Sequence, residues 1–234
     1  MDSKEGVVIV SGGMDSVTLA KHLSDQNYKL HLLSFDYGQR HVKELQFAEE
    51  CARDLDQDWD LIDLTKVNHL LGGSALTDSS VEVPDGHYAW ETMKQTVVPN
   101  RNAIMLSIAT GVAVSEGAHF VATAVHAGDH TIYPDCRPKF IYDFQQAMRS
   151  ANEGFMADGF EIYAPFMNIS KRDIAEVGFK HGVDFTKTWS CYKGGEIHCG
   201  TCGTCYERRE ALSSVPGYVD PTEYMDNTTQ FQEA

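Results

Sequence analysis

A Gly-Gly pair between a buried strand and a helix constrains this chain more than any other feature. Val7-Val8-Ile9-Val10 is an apolar run of β-branched residues, as expected of a strand buried on both faces. Ser11-Gly12-Gly13-Met14-Asp15-Ser16 follows directly, and apolar residues then recur at helical spacing from Val17 to Leu23. Adjacent glycines let successive backbone N–H groups point into one concavity at a helix N-terminus, where an anion is favoured. The segment predicts a phosphate-binding loop, with an ordinary Ser-capped turn as the alternative.

The rest of the chain alternates strands with helices. Patterns of apolar residues predict further strands over 30–35, 59–62, 120–125 and 161–163. They predict helices over 45–55, 102–114 and 140–148, and a last one that Ser170 and Asp173 cap and that ends near Gly182. Residues 65–98 lack periodicity and predict a long functional or mobile loop. Such alternation implies right-handed crossovers, so the fold class is α/β with a doubly wound parallel sheet.

The charge balance bears on the class of partner. The chain has 19 Lys and Arg against 34 Asp and Glu, a formal net charge of −15. This disfavours the clustered basic surface that holds a nucleic-acid backbone, so we expect a small-molecule substrate and no nucleic acid. No apolar run reaches the roughly 18 residues of a membrane span, and the first residues lack the pattern of a signal peptide. A cytoplasmic enzyme with no membrane partner is therefore expected.

The cysteines fall into two groups. Cys51 and Cys136 stand alone, whereas four others are closely spaced with glycines between them: Cys191, Cys199, Cys202 and Cys205. Four such thiolates predict a closed, structural Zn²⁺ site. An iron–sulfur cluster is the main alternative because C-x2-C-x2-C also begins a ferredoxin pattern, although x3-C-P does not follow. A redox dithiol and His198 as a substitute ligand are further alternatives.

The cluster also suggests how the chain is divided. We expect residues 1–185 to form a nucleotide-binding domain and residues 186–215 to form a small zinc-binding segment with a following helix. Residues 216–234 turn polar and include two prolines, which predicts a loose tail.

The loop motif S-G-G-x-D-S resembles the pyrophosphate loop of the ATP pyrophosphatase superfamily, whose fold is adenine nucleotide alpha hydrolase-like, or HUP-type. Those enzymes cleave ATP between the α and β phosphates and pass AMP to a carboxylate, carbonyl or amide oxygen. They include NAD synthetase, GMP synthetase, lysidine synthetase and tRNA thiolases, so the resemblance implies a reaction class and not a substrate. No G-x-x-x-x-G-K-[ST] is present to supply a phosphate-binding Lys. We expect Asp15 to face Mg²⁺ or the N–H groups of the loop itself.

Three further segments, together with the cysteine cluster, resemble the QueC family of 7-cyano-7-deazaguanine synthases. They are Phe35-Asp36-Tyr37-Gly38-Gln39-Arg40-His41, Val98-Pro99-Asn100-Arg101-Asn102 and Tyr133-Pro134-Asp135-Cys136-Arg137. Asn100 replaces the Gly of the family's V-P-G-R-N. The G-x-x-E-T-D of many members is Ala124-Val125-His126-Ala127-Gly128-Asp129 here, so the Asp is kept and the Glu is not. His126, Asp129 and His130 are either loop hydrogen-bonding residues or a second metal site.

Membership implies an ATP-dependent carbon–nitrogen ligase, a homodimer, that converts 7-carboxy-7-deazaguanine and ammonia to the nitrile through adenylated acid and amide intermediates. Its product serves the queuosine or archaeosine route or DNA modification. Its cofactors are ATP, Mg²⁺ and Zn²⁺. The alternatives are a relative that stops at the amide or uses another amine, a tRNA-modifying thiolase, and a nucleotide-binding protein without catalysis.

The resemblance also implies site residues. The ATP-binding residues are Val10, Ser11, Gly12, Gly13, Met14, Asp15, Ser16, Phe35, Tyr37, Gln39 and Arg40. The substrate-binding residues are Arg101, Asn102, Asp129, Tyr133, Asp135 and Arg137. Ser11, Asp15, Ser16, Arg101 and Arg137 carry the catalysis, and the four clustered cysteines bind the metal. Chemically, the two arginines suit a carboxylate or phosphate, and Asp135 suits a guanine-like N–H edge.

Overall fold

The computed structural model describes residues 4–70 and 72–227. The strands within them are β1 (Glu5–Ile9), β2 (Lys29–Asp36), β3 (Asp58–Asp63), β4 (Phe120–Ala122) and β5 (Glu161–Tyr163). The helices are α1 (Met14–Asp25), α2 (Glu44–Leu55), α3 (Thr65–Asn68), α4 (Trp90–Met93), α5 (Arg101–Glu116), α6 (Pro138–Ala151), α7 (Lys171–Lys180) and α8 (Gly203–Ser213). In this part of the chain, no single helix is long and apolar enough to cross a membrane. Two helical segments, 90–96 and Arg101–Glu116, reach the necessary length and composition only when taken together, and they are bent by 53° at the break between them.

The five strands form one parallel sheet in the order β3-β2-β1-β4-β5. Successive residues of β1 enter different cores: Val7 packs with α5 and α6, and Val8 packs with α1, α2 and α7. Helices therefore cover both faces, and the predicted doubly wound α/β fold is confirmed. The chain order reverses between β1 and β4, and ligands of such sheets bind at the carboxyl ends of the strands at this point.

β4 is shorter than its apolar pattern predicts. The predicted strand runs to Val125, but pairing with β1 and β5 ends at Ala122. The N–H of Thr123 still donates to the Tyr163 carbonyl oxygen at 3.0 Å, and beyond it the chain leaves the sheet. Thr123 and Val125 line a cavity at the carboxyl edge of the sheet. The apolar run therefore continues because its residues enclose this cavity and not because they extend the sheet.

The long segment over 65–98 contains α3, α4 and a 3-10 helix at Lys94–Thr96, and its remaining residues are irregular, as predicted. It is fixed at several points by backbone contacts. The Arg40 guanidinium donates to the carbonyl oxygens of Asp78 and Val81, the latter at 2.6 Å. The N–H of Gly86 donates to the Thr201 carbonyl oxygen at 2.9 Å, which attaches the segment to the cysteine-rich region.

Asn100 lies immediately before α5 in the left-handed region, with φ of 58°. Residues with a Cβ are disfavoured there, and Asn is tolerated better than most because its short polar side chain bonds locally. This conformation accounts for the one substitution within the V-P-G-R-N segment.

The segment after Val215 makes specific contacts as far as it is described. The Arg208 side chain, fully buried, donates to the Thr222 hydroxyl at 3.0 Å and to the Phe185 carbonyl at 2.6 Å. The N–H of Met225 donates to the His198 carbonyl at 2.8 Å. The division at residues 185 and 215 stays a prediction, and residues 228–234 of the predicted tail lie outside the described residues.

Candidate active site

A cavity of about 210 Å³ opens at the carboxyl ends of β1 and β4, where the chain order reverses. The phosphate loop, the N-terminus of α5 and the cysteine-rich segment all contribute to its walls. Of the predicted site residues, it brings together Val10, Ser11, Gly13, Met14, Asp15, Ser16, Phe35, Tyr37, Arg101, Asn102, Asp129 and Tyr133.

The phosphate loop is held in shape by its two serines. The Ser16 hydroxyl accepts the N–H of Ser11 at 3.1 Å and donates to the Gly13 carbonyl at 3.1 Å. Gly12 has φ of +84°, and a Cβ there would lie 2.0 Å from the carbonyl oxygen of Glu44 on α2. The loop can approach α2 so closely only because this residue is Gly. The N–H of Trp189 donates to the Gly12 carbonyl at 2.9 Å and joins the loop to the cysteine-rich segment.

A cation from a distant helix faces this loop. Lys171, the first residue of α7, places Nζ 2.7 Å from Oδ2 of Asp15 and 3.1 Å from Oε2 of Glu207. Burial alone would lower the pKa of Lys171, but the Asp15 and Glu207 carboxylates outweigh it and raise the pKa above its usual value. Lys171 therefore supplies the cation that the loop motif itself lacks.

His126 and Asp129 form the turn after β4. Nδ1 of His126 accepts the N–H of Gly128 at 3.1 Å, and Oδ2 of Asp129 accepts the N–H of His126 at 3.1 Å. Oδ1 of Asp129 also accepts the Tyr88 hydroxyl at 3.0 Å. His126 is thus a loop hydrogen-bonding residue, and within the described ranges the four clustered cysteines are the only set of three or more His, Cys, Asp or Glu ligand atoms that lie close enough together to hold one ion.

Arg101 is a cation without an acidic partner. Its guanidinium lies over the rings of Tyr37 and Tyr133, with Cζ 5.7 and 5.9 Å from their centroids. Nη1 donates to the Tyr37 hydroxyl at 3.3 Å, and no carboxylate of the described residues lies within 4.0 Å. Desolvation in this wall raises the pKa of Tyr37 to about 12, so its hydroxyl stays neutral. An unpaired arginine beside neutral tyrosines suits an anionic ligand.

The four clustered cysteines converge as predicted. Their Sγ atoms all lie within 4.8 Å of one another, with Cys199 and Cys205 at 3.8 Å. A tetrahedral ion with Zn–S bonds of about 2.3 Å separates its sulfurs by roughly 3.8 Å, so the donor set fits. The two other cysteines are separate: Cys51 is buried in the core, where burial raises the pKa of its thiol to about 12, and Cys136 contacts Asn102.

Five predicted site residues do not line the cavity, because their side chains or backbone are engaged elsewhere. Asp135 accepts the N–H of Asn102 at 3.0 Å and caps α5, and Arg137 donates to the His130 carbonyl at 2.8 Å from an exposed position. Arg40 anchors the long loop, Gly12 contacts α2, and the buried Gln39 donates to Glu44 at 3.2 Å. A ligand contact stays a prediction for these five.

Comparison with known proteins identifies the family. The family model described as queuosine biosynthesis protein QueC matches residues 5–216. The chain belongs to the QueC family. It is 59% identical over 220 residues to the 7-cyano-7-deazaguanine synthase of Sinorhizobium fredii. The aligned region covers 94% of this chain and 92% of that protein. The 7-cyano-7-deazaguanine synthase 1 of Mesorhizobium japonicum is 56% identical, covering 94% and 93%.

A solved structure supports the fold alone. The NMN synthetase of Francisella tularensis superposes with a TM-score of 0.52 at 16% identity, covering 84% of this chain and 70% of that one. Its resemblance agrees with the pyrophosphate-loop architecture that the QueC family implies.

Sequence reasoning missed several residues at this QueC site. The cavity is also lined by Lys171, Glu44, His41, Tyr88 and Tyr192. His41 ends the Phe35–His41 segment, so the motif itself contained a signal for it. The others carried none, since only the packing of helices and loops brings them to the phosphate loop.

Proposed function

We propose that this chain is a 7-cyano-7-deazaguanine synthase. The observation that carries the proposal is the meeting of the phosphate loop, Lys171 and the unpaired Arg101 in one cavity. A phosphate loop suits a nucleotide, and an unpaired arginine on an aromatic wall suits a planar acid. Relatives of this name match nearly the whole chain.

The chemistry runs in two adenylation cycles. A carboxylate oxygen of 7-carboxy-7-deazaguanine attacks the α phosphorus of ATP, the bond to the β phosphate breaks, and pyrophosphate leaves. Ammonia then attacks the acyl carbon and AMP departs, which gives the amide. The amide oxygen attacks a second ATP in the same way and pyrophosphate leaves; the C–O bond to AMP then breaks, and loss of both amide protons leaves the nitrile.

The chain's own residues position and neutralise charge in these steps. The Ser11 and Ser16 hydroxyls and the N-terminus of α1 face the phosphates, and Lys171 offsets their charge. Arg101 holds the acid while Tyr37 and Tyr133 cover its flat face. No separate general base is required, because orientation and electrostatic stabilisation dominate.

The structure offers ligands for the two metals in the proposal. Oδ1 of Asp15 is buried without a hydrogen-bond partner, and with Asp129 it offers the carboxylate oxygens that Mg²⁺ prefers. Bound Mg²⁺ would neutralise phosphate charge. Cys191, Cys199, Cys202 and Cys205 would hold Zn²⁺ as a structural ion that stabilises the adjoining cavity wall. A cytoplasmic location, a homodimeric state and the absence of a nucleic-acid partner complete the proposal.

Incubation of the purified protein with ATP, 7-carboxy-7-deazaguanine and ammonium tests it. Mass spectrometry is expected to show the nitrile together with AMP and pyrophosphate, and omission of ammonium abolishes the nitrile. A product that retains the mass of the amide, or of a conjugate with another amine, identifies the related ligase instead. A preparation with bound zinc and Mg²⁺ that forms none of these products overturns the proposal.

A further inference from the structure

We propose that Glu44 binds the hydrogen-bond donor edge of the substrate's base, and that Gln39 and His41 position its carboxylate. The inference rests on the proposed function and names the residue that selects a guanine-like ring. Glu44 is the first residue of α2, 7% exposed, and it lines the cavity that Arg101 also lines.

The Glu44 carboxylate is held on one side only. Its Oε1 accepts the side-chain N–H of Gln39 at 3.2 Å, and Nε2 of His41 lies 3.5 Å away. Its Oε2 has no hydrogen-bond partner among the described residues. Because Glu44 lines the cavity, this second carboxylate oxygen is an acceptor that a ligand donor can use.

Gln39 and His41 are themselves fixed. The Gln39 side chain accepts the N–H of Tyr37 at 2.9 Å and donates to the Phe35 carbonyl at 3.1 Å, so its amide orientation is determined. The His41 ring is 2% exposed and packs on Tyr192 with centroids 4.9 Å apart. Both residues thus orient Glu44 and leave its second oxygen available.

The cavity lining combines an acceptor, Glu44, with a cation, Arg101, which suits a flat ligand that carries both hydrogen-bond donors and negative charge. A 2-amino-pyrimidinone ring presents two adjacent N–H donors, which the deprotonated carboxylate of Glu44 accepts side by side. Binding of these donors therefore releases the proton that burial retains on Glu44 in the free protein. The acid group on the other ring of 7-carboxy-7-deazaguanine would meet Arg101, whose guanidinium lies over the Tyr37 ring in the same cavity wall. Adenine presents a donor beside an acceptor on the corresponding edge, so it satisfies a carboxylate only in part. These features assign Glu44 to the deazaguanine and not to ATP.

Calorimetric titration of each ligand separately tests the assignment. Glu44→Gln keeps the shape of the side chain but replaces an acceptor with a donor. We expect the affinity for 7-carboxy-7-deazaguanine to fall about 10- to 100-fold, with the affinity for ATP unchanged. Glu49→Gln, the same change at an exposed position of α2, should leave both affinities unchanged.

An analogue that lacks the 2-amino group isolates the contact. Wild-type protein should bind the analogue about 10-fold or more weakly than the full acid, and Glu44→Gln should lose this discrimination. Equal discrimination in both proteins, or a loss of ATP affinity instead, overturns the inference while the proposed function stands. Failure of the wild-type protein to bind the acid at all would count against the proposed function. Thermal melting confirms that the variant is folded.

Discussion

Nζ of Lys171 lies 2.7 Å from Oδ2 of Asp15, so the first residue of α7 reaches a loop that follows the first strand. We expect Lys171→Met to lower kcat/KM about 100-fold or more, since the variant leaves phosphate charge and two carboxylates without their cation. Steady-state release of pyrophosphate measures this effect. Lys180→Met, at the exposed end of the same helix, should retain wild-type turnover. Wild-type turnover in Lys171→Met would show that the lysine has only a structural role.

Removal of the metal should alter the wall of the cavity as well as the cysteine segment. Trp189 and Tyr192 flank Cys191 and line the cavity, and the Trp189 ring packs on His198 with centroids 4.3 Å apart. We expect about one zinc per chain by mass spectrometry of the metals. Chelation should shift the tryptophan fluorescence.

Cys205→Ser should lose the metal and Cys51→Ala should keep it, because only the former belongs to the cluster. Iron with inorganic sulfide and visible absorbance in the wild-type protein would replace the zinc assignment by an iron–sulfur cluster.

Asn100 offers a test of backbone strain. Its φ of 58° suits Gly, which has no Cβ, and it disfavours a β-branched residue. Asn100→Val should lower the free energy of unfolding by about 1–3 kcal/mol, whereas Asn100→Gly should change it little. Urea denaturation at equilibrium measures both. Equal stability of the Val and Gly variants would show that this conformation does not determine the residue.

Glu44 makes the stability depend on pH. Burial raises its pKa to about 8 from an ordinary value of 4.5, and the Gln39 hydrogen bond and Arg101 only partly oppose this. Between pH 4.5 and 8 the unfolded chain therefore releases a proton that the folded chain retains, so stability falls as pH rises. Glu44→Gln removes this loss. The free energy of unfolding of the variant, relative to that of the wild-type protein, should therefore rise by up to about 1.4 kcal/mol per pH unit in that window.

Comparing Glu44→Gln with the wild-type protein isolates the effect of Glu44, because both proteins share the other titratable and charged groups near it. They are His41, whose pKa burial lowers to about 3, Tyr37 and Arg101. Urea denaturation at pH 5.5, 7 and 8.5 measures the difference in the free energy of unfolding between the variant and the wild-type protein. A constant difference across these pH values would mean that Glu44 ionises normally in the folded protein.

The fold was predictable because its signals are local. The Val7–Ile9 part of β1 is apolar, which requires cover on both faces, and the Ser170–Asp173 cap marks the start of α7 correctly. The cysteine spacing indicated a common site for the same reason, since the four ligands lie close together in the chain.

The rest of the site depends on contacts between distant segments, which periodicity does not encode. Lys171 reaches Asp15 because α1 and α7 pack together, and Tyr88 reaches Asp129 because Gly86 bonds to Thr201. Asp135 has a structural contact that its motif did not indicate, because its carboxylate accepts the N–H of Asn102 at the start of α5, and its predicted ligand contact stays a prediction. Motifs identified which segments meet, and the packing determined which side chains face the ligand.

The hydrogen bond from Trp189 to the carbonyl of Gly12 has a consequence for biosynthesis. The loop that follows the first strand is completed by a residue synthesised much later, so a nascent chain that has not yet exposed Trp189 lacks this support. Nucleotide binding during translation is therefore expected only after the cysteine-rich segment has left the ribosome.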